Sequence, residues 1–180
     1  MPRIPYKTDD DLGPEEIVAP IRARRRGRLL NLDRMLLHSP PYARGWNSLL
    51  GAVRNELSVS PKLREIAICG VAVLNGAEYE FHHHLPEFLK AGGTETQAQA
   101  LQHFAAAAGD TASFDAAERA VIQLTIEMTR NVQVSDATFE KVKAALPGER
   151  QVVELVGVVV TYNMVSRFLV ALGVEPENRP

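Results

Sequence analysis

The chain has 180 residues, a formal net charge of −2 at pH 7 and a single cysteine, Cys69. This length suits one domain with a proper hydrophobic core, and the slightly negative charge argues against a dedicated nucleic-acid binder. One cysteine cannot form an internal disulfide, which suits a reducing cytoplasm. The N-terminus lacks the pattern of a secretion signal, and no apolar run reaches membrane-spanning length. We therefore predict a cytoplasmic protein with no nucleic-acid and no membrane partner.

The N-terminal third is predicted to contain an arm and three helices. Residues 1–13 are polar and rich in aspartate, and we expect a flexible arm, mobile or laid across a neighbouring subunit. Pro14 and the two acids after it mark the start of the first helix. Its end carries five arginines, which we interpret as a solvated helix end rather than an anion-binding patch. A short helix through Met35 and a longer one over residues 42–57 follow.

The most apolar stretch, residues 60–93, predicts two consecutive helices. Ser60 provides an N-cap, and apolar residues at helical spacing continue to Leu74. A strand is the minority alternative, because the stretch is rich in β-branched residues. We expect a break near Asn75, and Pro86 predicts a kink or a second break inside the following helix.

The C-terminal half predicts further helices. Capping residues mark three helix starts: Thr94 with Gln97, Asp115, and Ser135. The last helix runs from about Glu149 to Leu172 and is strongly apolar, and residues 176–180 form a tail. About seven or eight helices with short links predict a single all-α, orthogonal or bundle-like domain over residues 14–175. Two helices this apolar exceed what one small core covers, so a homo-oligomer is expected.

Three ionisable residues could carry acid/base chemistry. His84 is the leading candidate, because imidazole gives or takes a proton near neutral pH. Glu80 lies one helical turn earlier on the same face, where it could orient the ring or favour its protonated form. Glu65 lies on the preceding apolar helix, where an unpaired carboxylate would be costly, so it needs a partner. From the residues alone, a buried structural Glu–His pair is an equally good interpretation.

Other side chains suggest binding roles. The histidine run 82–84 invites a metal site, but consecutive helical residues are about 100° apart and cannot all bind one ion. We therefore predict no metal and no cofactor. Tyr79 and His83 are candidates for substrate binding, although packing is the plainer role for Tyr79. Arg167 could hold a substrate carboxylate, with an ion pair within or between subunits as the plainer alternative.

The segment 60–92 resembles the core of the carboxymuconolactone decarboxylase superfamily, which includes the AhpD-like alkylhydroperoxidases. The redox branch of that family has a glutamate, then Cys-x-x-Cys, then a histidine four residues after the second cysteine, and a glycine that ends the helix. The matching residues are Glu65, His84 and Gly92, and Ala77 and Glu80 stand where the two cysteines would be. The phrases "SPKLREIAI" and "YNMVSRFLVALGVEPE" also resemble members that lack the cysteine pair.

The resemblance implies an AhpD-like helical bundle, assembled as a trimer or hexamer, and a cofactor-free lyase that decarboxylates a small organic acid or lactone. In the redox relatives the corresponding glutamate and histidine relay protons to the cysteines. Dithiol peroxidase chemistry needs two sulfurs, so we expect it to be absent and Cys69 to be an inert core thiol. Two alternatives stay open: a catalytically silent ligand-binding or structural relative, and, less favoured, a metal-dependent enzyme that uses the histidine run.

Overall fold

The computed structural model describes residues 1–177, and residues 178–180, which end the predicted tail, lie outside the described residues. Over the described part the chain forms ten α-helices and no β-strand. They are α1 (Glu15–Arg24), α2 (Asn31–Leu36), α3 (Pro40–Asn55), α4 (Pro61–Leu74), α5 (Glu78–Lys90), α6 (Glu95–Leu101), α7 (Phe104–Ala107), α8 (Ala116–Asn131), α9 (Asp136–Ala145) and α10 (Glu149–Leu172). Eight of these helices have seven residues or more, so the predicted all-α fold is confirmed.

Residues 1–56, with the described residues from 169 onward, form one compact unit. The arm of this unit is tied down, because the backbone N–H of Arg3 donates to the carbonyl of Leu172 at 2.9 Å. Asp33 is 1% exposed and forms ion pairs with Arg25 at 3.0 Å and Arg24 at 3.6 Å. Two of the five clustered arginines therefore neutralise a buried carboxylate, and the interpretation of a wholly solvated helix end was wrong for them.

Residues 57–168 form the second compact unit, with α4 at its centre. From Ile66 to Val71, every residue of α4 is buried, and the helix packs against α5 on one side and α8 on another. Gly70 allows α7 to pack closely against α4, because the ring of Phe104 occupies the position that a side chain at residue 70 would need. A helix that is apolar on nearly all sides is buried on nearly all sides here, as its composition predicted.

The helix boundaries follow the capping signals in most places. Three predicted caps form, since Thr94, Asp115 and Ser135 each accept a hydrogen bond from a backbone N–H three residues ahead. Ser60 precedes α4 without a side-chain capping bond, so its predicted role was wrong in detail.

Prolines and a glycine set the other boundaries. Helix α3 begins at Pro40, two residues before the prediction, because proline suits the first helical positions. Helix α5 continues through Pro86 without the second break. Gly76, at φ +66, makes the predicted break between α4 and α5.

Helix α10 is long and apolar enough to cross a membrane by length and composition, so the expectation that no apolar run reaches this length was wrong. Half of the apolar window is buried inside the protein. Buried core helices pass the same test, so this single helix is weak support for a membrane role.

Candidate functional site

Helices α4 and α5 bring the side chains of Glu65 and His84 together. Oε2 of Glu65 lies 2.6 Å from Nδ1 of His84, which is within strong hydrogen-bond distance. The side chains are only 6% and 5% exposed. The sequence predicted that Glu65 needs a partner, and the structure shows that this partner is the imidazole of His84.

The short contact fixes how the imidazole can react. A carboxylate only accepts hydrogen bonds, so the proton of the pair belongs on Nδ1 of His84. Nε2 is then the nitrogen that accepts a proton in the neutral ring or donates one in the imidazolium. The contact with the Glu65 carboxylate also fixes the orientation of the ring. A ring held in this way can exchange a proton through Nε2.

The second candidate carboxylate, Glu80, is 3% exposed and lies one turn before His84 on α5. Burial raises the pKa of the Cys69 thiol well above its ordinary value, and the negative charges of Glu65 and Glu80 raise it further. We call Glu65, Glu80 and His84 the acid/base cluster.

Two further residues contact the acid/base cluster, and sequence reasoning did not assign them to it. The ring of Tyr162, on α10, meets the imidazole of His84 edge to face, with centroids 5.0 Å apart. Nε of Arg64 lies 3.5 Å from Oε1 of Glu65. Arg64 directly precedes Glu65 in the sequence, so its position next to that carboxylate could have been predicted. The Tyr162 contact depends on how α10 crosses the unit, and no local pattern shows that.

The other candidates on α5 form a separate stripe. The rings of Tyr79 and His83 stack with centroids 4.3 Å apart, and Nδ1 of His83 lies 2.8 Å from the carbonyl oxygen of Tyr79. His82 is exposed, His83 is half-buried and His84 is buried, so the three histidines fan around the helix as predicted. Within residues 1–177, no three His, Cys, Asp or Glu side chains are grouped so as to hold a metal ion.

The guanidinium of Arg167 forms hydrogen bonds within its own helix. Its guanidinium donates to Oδ1 of Asn163 at 2.6 Å and to the carbonyl oxygen of the same residue at 3.0 Å. Asn163 also binds Thr129 at 3.0 Å and Asn75 at 3.1 Å, which ties α10 to α8 and to the end of α4. Five residues separate Arg167 from Tyr162, which is about 140° around the helix. The exposed Arg167 therefore lies on a different side of α10 from the residue that contacts His84.

A cavity of about 440 Å³ opens between α9 and the start of α10. It is mostly apolar, and its lining residues are Phe139, Lys143, Gly148, Glu149, Val152 and Val153. None of the residues predicted to act in catalysis or binding lines it.

The comparisons with known proteins agree with this architecture. The model of the carboxymuconolactone decarboxylase family matches residues 40–123, the range that contains α4, α5 and the acid/base cluster. The matched range is somewhat less than half of the chain, and over that range the chain is similar to this family. The chain has a single cysteine, Cys69, and therefore lacks a cysteine pair. No curated protein matched the chain.

Several solved structures share the fold of this chain. An uncharacterized peroxidase-related protein from Silicibacter sp. TM1040 is 18% identical, with a TM-score of 0.78 over 98% of this chain and 94% of that chain. An uncharacterized peroxidase-related protein with an alkylhydroperoxidase AhpD core, from Ralstonia eutropha JMP134, is 16% identical, with a TM-score of 0.82 over 98% and 93%. The debrominase Bmp8, in a variant crystallised with 2,3,4-tribromopyrrole, is 14% identical, with a TM-score of 0.78 over 96% and 90%. At these identities the comparison establishes the AhpD-like fold.

Proposed function

We propose that this protein is a cofactor-independent acid/base enzyme that acts on a small organic acid or lactone, with decarboxylation as the favoured reaction. The observation that carries the proposal is the buried contact of 2.6 Å between Glu65 and Nδ1 of His84, which leaves Nε2 to exchange protons with a substrate. The family supports the same class of chemistry. The dithiol mechanism of its redox branch does not apply here, because the chain has one cysteine and that mechanism needs two.

In the proposed reaction, the bond between the substrate carbon and its carboxylate breaks, and CO₂ leaves. The electron pair of that bond moves into the conjugated lactone, which becomes an extended enolate. Nε2–H of the His84 imidazolium then donates a proton to carbon, and water returns a proton to the ring. Glu65 holds the ring and stabilises its cationic form throughout. Glu80, in the same secluded cluster, adjusts how readily the ring is protonated.

A cation is needed to hold the acid substrate in place. Arg64 suits this role because its Nε lies 3.5 Å from Oε1 of Glu65, beside the acid/base cluster. Arg167, the cation predicted from sequence, stays a second candidate for this role, and its Nη1 donates to two oxygens of Asn163. Tyr79 and His83 stay candidates for the wall of the substrate site.

The test is CO₂ release from a panel of unsaturated lactone acids and small cyclic acids. We include halogenated pyrrole carboxylic acids, since a protein of the same fold binds a brominated pyrrole. His84→Gln should lower kcat by about a hundredfold or more, because it removes the acid/base. Glu65→Gln should lower kcat by a smaller factor, since the ring stays but loses its charged partner.

His82→Gln is the matched control, because His82 is exposed and lies two residues away on the same helix. It should leave the rate unchanged. Turnover by the wild type that is insensitive to His84→Gln would refute the assignment of the acid/base. A lack of turnover across the panel, together with tight binding of one of these acids, would favour the ligand-binding alternative.

A further inference from the structure

The cavity between α9 and the start of α10 has the size and the lining of a small-molecule site. Its volume is about 440 Å³, and pockets that hold small organic ligands measure about 300–1,000 Å³. The lining is mostly apolar and includes one aromatic ring, that of Phe139, and two charged side chains, Lys143 and Glu149. No residue of the acid/base cluster lines it, so a ligand here is separate from the proposed reaction.

Apolar side chains in this cavity are left in contact with water. Phe139 is 38% exposed, more than any other phenylalanine of the chain, and Val153 is 70% exposed. Val152, the third apolar residue of the lining, is buried. Single exposed apolar residues are common on protein surfaces, but these residues share one concave site. An apolar ligand that covers them would remove their surface from water, which favours binding.

The charges around the cavity leave one negative charge without a counter-charge. Nζ of Lys143 lies 3.0 Å and 3.3 Å from the two carboxylate oxygens of Glu140, so this cation is already neutralised. Arg150 pairs in the same way with Glu154, at 2.8 Å. The exposed carboxylate of Glu149 has no hydrogen bond or ion pair with any group in residues 1–177. The remaining charge at the cavity is therefore that of Glu149.

A carboxylate, an aromatic ring and apolar walls together suit an organic cation. We propose that this cavity binds a small amphipathic amine, with its ammonium group at Glu149 and its apolar body against Phe139 and Val152. A carboxylate attracts the ammonium group, and so does the face of an aromatic ring within about 6 Å. An anion of the same size would be repelled by Glu149, and the paired Lys143 would give it little in return.

Glu149 has a second role that does not depend on a ligand. It is the first residue of α10, where a negative charge stabilises the helix through the helix dipole. That role affects the stability of the protein and not its affinity for an amine. The melting temperature and the dissociation constant therefore report the two roles separately.

Binding of phenethylamine to the isotope-labelled full chain, followed by amide NMR, tests the proposal. We expect saturable shifts in α9 and in the first turns of α10, with a Kd of roughly 0.1–1 mM for a ligand of this size. Phenethyl alcohol is the neutral counterpart and should bind about fivefold more weakly, because it lacks the charge. Hydrocinnamate is the anionic counterpart and should bind more weakly than the alcohol.

Glu149→Gln tests the recognition of charge. It should weaken the binding of phenethylamine about fivefold, to the level of the alcohol, and should leave the binding of the alcohol unchanged. Glu95→Gln is the matched control. Glu95 is the first residue of α6, as Glu149 is of α10, and it is exposed and does not line the cavity. This control should change neither affinity.

Phe139→Ala tests the aromatic wall. It should weaken the binding of all three probes by about fivefold or more, because each has a ring that loses its contact surface. Leu49→Ala is the control, since Leu49 is 43% exposed and lies outside the cavity. It should leave the three affinities unchanged. Melting temperatures check that every variant folds.

Several results would overturn the proposal. One is the absence of saturable binding up to about 20 mM phenethylamine, as expected if another protein chain covers the cavity. Others are a preference for hydrocinnamate, and an affinity for phenethylamine that Glu149→Gln leaves unchanged. Shifts confined to α4 and α5 would place the probe at the acid/base cluster and would also refute the proposed site. None of these results bears on CO₂ release, so the proposed reaction is tested independently.

Discussion

At the scale of single residues, the imidazole of His84 is held by a carboxylate from another helix. The sequence placed Glu80 one turn before His84 and suggested it as the orienting group, since residues four apart share a helix face. The structure gives Nδ1 to Glu65 instead, at 2.6 Å. Sequence reasoning named Glu65, Glu80 and His84 as candidates, but the choice between the two carboxylates depends on how α4 and α5 pack.

The thiol of Cys69 gives a prediction at the same scale. It is fully buried, and its pKa is raised well above the ordinary value, by burial first and by the charges of Glu65 and Glu80 second. Thiolate is the reactive form, so almost none exists at pH 8 in the folded protein. We expect no measurable reaction with a thiol reagent such as dithionitrobenzoate, and no hydroperoxide turnover with a dithiol reductant.

Unfolding provides the control for this prediction. In concentrated guanidinium chloride the burial and both carboxylate charges are lost, so one thiol per chain should react rapidly. Fast stoichiometric labelling of the native protein would show that Cys69 is accessible, and peroxide turnover abolished by Cys69→Ala would contradict the expectation of an inert thiol.

At the scale of elements, the contact between α4 and α7 gives a prediction for stability. A Cβ at Gly70 would lie only 2.1 Å from the ring of Phe104 in the present packing. Both residues are buried, so the ring has little space into which it could move. We expect Gly70→Ala to lower the free energy of unfolding by about 1–3 kcal/mol, measured by urea denaturation.

Gly51 is the matched control for this substitution. It lies within α3, and a Cβ there would meet nothing within 4 Å. Gly51→Ala should stabilise the protein by roughly 0.5–1 kcal/mol, because alanine loses less backbone entropy than glycine in a helix. Adding Phe104→Leu to Gly70→Ala should recover part of the loss. Equal effects of the two glycine substitutions would show that the clash with Phe104 does not matter.

At the scale of the whole molecule, two carboxylates make stability depend on pH. Burial raises the pKa of Glu127, but hydrogen bonds from Gln123, Thr138 and Ser135 outweigh it and lower the pKa to about 2 from its ordinary 4.5. This side chain joins the end of α8 to the start of α9, since Oε1 accepts from Thr138 at 2.6 Å.

Glu154 behaves in the same way on α10. Burial raises its pKa, while bonds from Arg150, Ser58 and Val59 lower it to about 2. Its Oε2 accepts from the backbone N–H of Ser58 at 2.7 Å and of Val59 at 2.9 Å, which holds the loop before α4. Each carboxylate therefore fixes a connection between helices, and each does so only while it is ionised.

The sign of the pH effect follows from these pKa values. Both are lower in the folded state, so their contribution to stability is complete above about pH 4.5 and is lost as the pH falls towards 2. We expect the melting temperature to fall steadily over this interval. Glu127→Gln should lower the free energy of unfolding at pH 7 by about 1 kcal/mol, after allowance for solvent screening, and should flatten the acid decline.

Glu140→Gln is the control for the acid prediction. Glu140 is 67% exposed and pairs with Lys143 one helical turn away, so its loss should change stability by less than about 0.5 kcal/mol. A melting temperature that is constant from pH 5 to about pH 2.5 would mean that the two carboxylates do not hold these connections in solution.

The sequence by itself determined the all-α class and most helix boundaries, and it singled out Glu65, Glu80 and His84 as candidates. Helical periodicity, helix caps and the spacing of Glu80 and His84 are local properties, because each depends only on residues that are close together in the sequence. Only the tertiary structure decided that Glu65 binds His84 and that Tyr162 meets the same ring. Those contacts depend on how separate helices cross, and crossing geometry is set by the packing of side chains far apart in the chain.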